Sequence, residues 1–206
     1  VVWGLAESRF ATISRALEGV IMKKYRITVG DQTRDLPLIP ISDDTAIASF
    51  VLLGDDAMSK TAAELLLPKL PKKFDYVVTV ESKGITLAHD ISLLSGHPRS
   101  FVIRKSVKGY MENPLTTAVD SITTKKQQLL VLDGADAAEL KGKSVVLVDD
   151  VVSTGGSLKS AEKLLNLAGC QIVAKAAILA EGAAADRDDV AFLGKLPLFN
   201  LDGTIK

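Results

Sequence analysis

The run SVVLVDDVVSTGGSLKSAEKLLNLAG, residues 144–169, constrains this chain more than any other stretch. Val145, Val146, Leu147 and Val148 form the unbroken apolar run that a parallel strand needs when both of its faces are covered. The run meets Asp149 and Asp150, crosses Ser153-Thr154-Gly155-Gly156-Ser157, and opens into a segment with Leu158, Ala161, Leu164, Leu165 and Ala168 at helical spacing. Gly169 stands where a C-cap glycine belongs. The segment predicts a strand, a polar loop and a helix. Glycines admit close approach of a ligand, hydroxyls add donors, and a helix N-terminus presents unpaired N–H groups, so the loop suits a phosphate. The two acids at the strand end suit sugar hydroxyls or a divalent cation.

A second unit of the same kind precedes it. Phe74 to Val80 reads as a strand, Glu81-Ser82-Lys83-Gly84 as its turn, and ITLAHDISLLSG as the following helix. Lys83 brings a cation to a turn whose backbone donors suit a second phosphate. Ser100 to Ile103 is a short strand that ends at Arg104-Lys105. The next residues, to about 121, have no sustained period and carry Lys108, Gly109, Tyr110, Glu112, Asn113 and Pro114. So long a connection predicts a mobile loop or lid over about 104–121.

Residues 121–133 read as two short strands around Lys125-Lys126, and 133–142 as a polar link. Gln171 to Leu179 is another strand, ending near Glu181, and Leu196 to Leu201 an edge strand. Ahead of the core, residues 5–24 predict a helix and 57–69 another, stopped by Pro68 and Pro71. Between them lie β-like segments in which Pro37 and Pro40 argue against a central strand. Strands near 74–80, 100–103, 144–148 and 171–179 alternate with helices, so the fold class is α/β with a doubly wound parallel sheet. We expect one domain over 1–206, with an N-terminal helix and hood in 1–55 and the core in 56–206.

Several classes are excluded or left without support. No G-x-x-x-x-G-K-[ST] and no strand-linked G-x-G-x-x-G occurs. Twenty-five basic and 25 acidic residues cancel, so no global field favours nucleic acid or a membrane surface. The single cysteine, Cys170, excludes an internal disulfide and a cysteine zinc site, and fits a reducing, cytoplasmic setting. There is no 18-residue uncharged apolar run and no secretory signal pattern at VVWGLAESRF. The missing initiator Met fits a processed or trimmed chain. His89 and His97 have no partner at a spacing that suggests a triad or metal site.

VVLVDDVVSTGGS resembles the phosphoribosyl pyrophosphate (PRPP) signature of the type I phosphoribosyltransferases, and Glu81-Ser82-Lys83-Gly84 resembles their pyrophosphate loop. The resemblance implies that Asp149 and Asp150 hold the ribose hydroxyls, and that Ser153, Thr154, Gly155, Gly156 and Ser157 hold the 5′-phosphate. It implies further that Glu81, Ser82, Lys83 and Gly84 hold the pyrophosphate, and that a lid bearing Arg104, Lys105 and Lys108 closes over it. Ile41 and Ser42 in the hood, with Glu181, are the implied base contacts. Mg²⁺ is implied as the ion carried by PRPP, with no protein ligand assigned, and a homodimer as the assembly. The turn, the hairpin and LGKLPLF place the likeness in the adenine, xanthine and PurR-like branch. Xanthine enzymes carry a lysine where this chain has Gly182, so adenine is the expected base. The alternatives are a non-catalytic PRPP-sensing regulator of PurR type, or transfer to xanthine, hypoxanthine/guanine or orotate. A PurR-type repressor needs an N-terminal winged helix, for which the roughly 70 residues before the core are too few and not basic enough.

Overall fold

The computed structural model describes residues 23–119 and 128–206. The expected helix over 5–24 lies outside the described residues except at its end, where Lys24 opens a strand instead, and the Lys125-Lys126 turn and the far end of the expected lid lie outside them too. In chain order the elements are β1 (Lys24–Val29), β2 (Gln32–Pro40), β3 (Ala46–Ala48), α1 (Asp56–Leu66), β4 (Tyr76–Val80), α2 (Ile85–Leu94) and β5 (Ser100–Ile103). Then come β6 (Leu115–Val119), β7 (Gln128–Leu132), α3 (Gly134–Leu140), β8 (Ser144–Val152), α4 (Gly156–Leu167), β9 (Gln171–Glu181), β10 (Ala191–Leu196) and β11 (Leu198–Phe199).

The central sheet has five parallel strands in the order β10-β9-β8-β4-β5. Alternation along the strands divides the core in two. Val77, Val146, Val148 and Ile178 face α1 and α2, through Met58, Leu66, Leu87 and Ile91. Val78, Val145, Leu147 and Phe101 face α3 and α4, through Leu140, Leu158, Leu164 and Leu165. Residues Val145–Val148 are fully buried, as a strand covered on both faces must be. The doubly wound α/β sheet expected from the sequence is therefore the fold.

The hood is an antiparallel sheet of order β1-β2-β3-β11. Pro37 and Pro40 do not keep β2 from its interior, which corrects the sequence reading. The reason is a change of partner: β2 pairs with β1 only up to Pro37, and with β3 only from Leu38 to Pro40. Each half thus has one paired edge, so a missing N–H costs no ladder bond.

Other boundaries also moved. The hairpin is β6 with β7, Leu115 to Val119 against Gln128 to Leu132, so part of the expected aperiodic lid is a strand. The polar link contains α3, a seven-residue helix too short and too glycine-rich at its start to show a period. The sheet edge is β10, upstream of the expected 196–201 strand, while β11 crosses to the hood.

Candidate active site

In a sheet of this order the chain reverses its direction of growth between β4 and β8, and the crevice outside their carboxyl ends is open to a ligand. Both polar loops emerge there. The strands are hydrogen-bonded neighbours, with Val77 opposite Val146 and Thr79 opposite Val148. α2 then packs on one face of the sheet and α4 on the other, which leaves the loops facing each other across the gap.

The approach is close. A Cβ on Gly84 would come 2.3 Å from Thr79 Oγ1 and 3.3 Å from the Asp149 Cα, so this turn position is restricted to glycine by contact. The Glu81–Ser82 peptide beside it is cis. Glu81, Ser82, Lys83, Lys105, Asp149, Asp150 and Ser157 line one cavity of about 340 Å³. Asp149 and the Ser153–Ser157 loop line an adjoining cavity of about 110 Å³. Gly155 has φ of 79°, and no side chain caps the 12-residue helix α4 that follows, so its first amides stay available to a ligand.

Charges in the crevice are partly paired with one another. Lys83 Nζ lies 2.7 Å from Asp150 Oδ2 and donates to the Phe50 carbonyl at 3.3 Å. The Asp150 side chain is 3% exposed, and its Oδ2 has no aligned hydrogen-bond donor, so the contact with Lys83 is an ion pair without hydrogen-bond geometry. The Asp150 N–H donates to Asp149 Oδ1 at 2.9 Å. Burial, then the neighbouring Asp150 carboxylate, pushes the Asp149 carboxyl up to about 7.

At the rim, Arg104 Nε donates to Glu81 Oε2 at 2.6 Å, the Lys105 amide donates to the other Glu81 oxygen, and Arg104 Nη1 donates to the Tyr110 hydroxyl at 2.7 Å. Burial pushes the Glu81 carboxyl up, but the Lys105 amide and the Arg104 guanidinium outweigh it and the net shift is downward. Lys105 lines the cavity and makes no ion pair among the described residues. Lys108 Nζ is turned to Ser106 Oγ at 2.6 Å.

Of the residues expected at PRPP, Glu81, Ser82, Lys83, Lys105, Asp149, Asp150 and Ser153–Ser157 line the two cavities, whereas Gly84, packed on Thr79 and Asp149, Arg104, paired with Glu81 at the rim, and Lys108 line neither. The expected base residues do not line these cavities either. Ile41 and Ser42 are exposed in the turn after β2, where Ser42 Oγ donates to Asp44 at 2.8 Å, and Glu181 is buried at the end of β9. Sequence reasoning missed Thr79 beneath Gly84, the Phe50 carbonyl on Lys83, and Arg187, whose guanidinium lies against Gly155. All three are contacts across the fold, and no local pattern marks them.

Sheet order, hood and paired loops define the α/β class of the type I phosphoribosyltransferases. The family described as "Phosphoribosyl transferase domain" matches residues 53–194. The chain belongs to that family, in its purine branch. It is 31% identical over 161 residues to the adenine phosphoribosyltransferase of Brucella ovis, covering 75% of this chain and 83% of that one. It is 35% identical over 113 residues to the hypoxanthine/guanine phosphoribosyltransferase of Methanothrix thermoacetophila, covering 55% of each, so it spans about half the length of that relative. The solved adenine phosphoribosyltransferase of Thermoanaerobacter pseudethanolicus shares the fold, with a TM-score of 0.63, 23% identity, and coverage of 78% of this chain and 95% of that one.

Proposed function

We propose that this chain is a purine phosphoribosyltransferase, with adenine as its preferred base: it transfers the 5-phosphoribosyl group of PRPP to the base and releases pyrophosphate. The observation that carries the reading is the meeting of the Glu81–Gly84 turn and the Asp149–Ser157 loop in one crevice, because PRPP bears phosphate groups at both ends of a ribose. Asp149 and Asp150 accept hydrogen bonds from the ribose hydroxyls. The loop amides of residues 153–157 hold the 5′-phosphate at the N-terminus of α4. Glu81, Ser82, Lys83 and Gly84 border the pyrophosphate.

In the reaction a purine ring nitrogen bonds to C1 as the C1–oxygen bond breaks, pyrophosphate leaves with that electron pair, and the proton of the ring N–H is lost to pyrophosphate or solvent. Cations at the leaving group lower the barrier most. On this reading Lys105, which lines the cavity, supplies such a cation, and Lys83 and Arg104 join it by exchanging Asp150 and Glu81 for phosphate oxygens. Closure of the Arg104–Pro114 segment would keep water from C1.

No cluster of three or more metal-ligating side chains occurs among the described residues. Asp150 Oδ2 faces the Lys83 ammonium at 2.7 Å, and would face a cation arriving on the diphosphate once Lys83 turns to a phosphate oxygen. Mg²⁺ bound with PRPP would supply further neutralisation of the pyrophosphate charge. A homodimer and a cytoplasmic setting belong to the same reading. The preference for adenine is supported by Gly182 standing where xanthine enzymes carry lysine and by relatives named adenine phosphoribosyltransferase, beside others named hypoxanthine/guanine phosphoribosyltransferase.

The test is incubation with PRPP, Mg²⁺ and each of adenine, guanine, hypoxanthine and xanthine, with nucleotides resolved by chromatography. Formation of AMP at the highest rate is expected. PRPP that binds tightly and yields no nucleotide with any base would sink the enzyme reading in favour of a PRPP sensor.

A further inference from the structure

Outside the residues that line the crevice, one ordered group of charges touches it from behind. Arg187 lies in the connection between β9 and β10, and its Nη1 is where a Gly155 side chain would be: a Cβ there would meet Nη1 at 2.4 Å and Cζ at 3.7 Å. The guanidinium is fixed by a bidentate pair with Asp189, Nε to Oδ1 at 2.8 Å and Nη2 to Oδ2 at 2.7 Å. Asp189 Oδ2 also accepts from Lys175 Nζ at 2.5 Å, and Lys175 donates to Glu162 on α4 at 2.9 Å. Arg187 first, then Lys175, holds the Asp189 carboxyl well below the usual carboxylate range.

The four charges cancel in sum and do not cancel in direction. The Nε–Nη2 edge of Arg187 is consumed by Asp189, while Nη1 makes no hydrogen bond among the described residues. The pair is therefore a dipole with its positive end on the loop. Bidentate pairing is what gives such an end a fixed position, which a lysine at the same place would lack. Glu162, on the helix that begins in the loop, ties the same network to α4.

We infer that Arg187 is a positioning residue for the phosphate loop: held by Asp189 against Gly155, it sets the loop's affinity for a phosphomonoester dianion. The inference rests on the assignment of residues 153–157 to the 5′-phosphate. It also accounts for Gly155 beyond its backbone conformation, since any side chain there would displace the guanidinium.

Ribose 5-phosphate is the probe for this loop and pyrophosphate the probe for the Glu81–Gly84 turn, each titrated calorimetrically into the full chain. Arg187→Gln is expected to weaken ribose 5-phosphate about tenfold, the scale of one fixed, half-screened charge near a dianion. Pyrophosphate affinity is expected to hold, and Arg187→Lys to recover part of the loss. Equal affinities for ribose 5-phosphate in wild type and Arg187→Gln would overturn the inference, as would equal losses for both probes, the mark of a general structural role. Should Arg187→Gln not fold, Asp189→Asn gives the same reading by loosening the anchor: a loss confined to ribose 5-phosphate supports the inference, and no loss refutes it. Wild-type protein that binds neither probe would overturn the phosphate assignment itself, and this inference with it.

Discussion

Replacing Asp149 with Asn is expected to stabilise the ligand-free protein above about pH 7 while it weakens PRPP binding. The carboxyl is raised from 3.8 to about 7 by burial and by Asp150, so the folded state holds a proton that the unfolded chain releases. The contribution to stability is fully present below the unfolded value, is lost as pH rises, and is gone once pH has passed the folded value. At about 1.4 kcal/mol for each unit, the full shift is worth a ceiling of about 4 kcal/mol. Solvent reaches Asp149 from the crevice, which brings the expected effect to about 2 kcal/mol. Asn imitates the protonated acid at every pH. The two stability curves should coincide near pH 4, separate upward from there, and run parallel above pH 7. For a chain of this length the separation corresponds to a Tm higher by about 4–8 °C in the variant. Urea unfolding at several pH values between 5 and 8.5, without ligand, measures it. Curves for wild type and Asp149→Asn that stay parallel across that range would refute the reasoning. A site that is less stable in its working ionisation state than in a neutral one is the expected cost of gathering carboxylates around a ligand.

Gly84→Ala should destabilise by about 1–3 kcal/mol through overpacking against Thr79 and Asp149, and adding Thr79→Ala should return part of it in a double-mutant cycle read by denaturant melts. Glu81→Gln removes the charged partner of Arg104 and of the Lys105 amide; a loss of about 1 kcal/mol and faster proteolytic cleavage within 104–114 are expected. The Glu81 carboxyl is held below its ordinary value, so its contribution is present above the unfolded value and is lost as pH falls through the folded one; the Glu81→Gln deficit should therefore shrink in acid melts. Asp149→Asn combined with Asp150→Asn should abolish PRPP binding by calorimetry, and unchanged affinity would remove the ribose assignment.

What could be read from the sequence was whatever a single segment encodes. Four consecutive buried aliphatics before two acids specify β8, because only a strand covered on both faces tolerates them, and the loop after them follows from its glycines. Elements that depend on a distant partner were not legible. The seven residues of α3 have too few turns for a period, and Gly134 at its start sits under the Glu112 carbonyl, where a Cβ would come within 2.3 Å. β10 includes Gly194 and follows a polar run, so it reads as a connector until β9 is beside it. Within the site, residue types were visible and pairings were not. Lys83 reads as a free cation in sequence, yet in the fold it neutralises a buried aspartate near the end of β8.

The hood is made of residues 24–48 and 198–205, which flank the core in sequence, whereas the crevice comes entirely from residues between them. Lys206 fastens the two flanking pieces, donating to Asp44 at 2.8 Å and to Thr45 at 2.6 Å. The fold therefore separates the hood from the crevice along the chain. On the proposed reading the base contacts of the hood, Ile41 and Ser42, fall in the outer segments and the sugar-phosphate contacts in the core, so exchanging the outer segments is expected to alter base choice while every residue of the crevice stays in place.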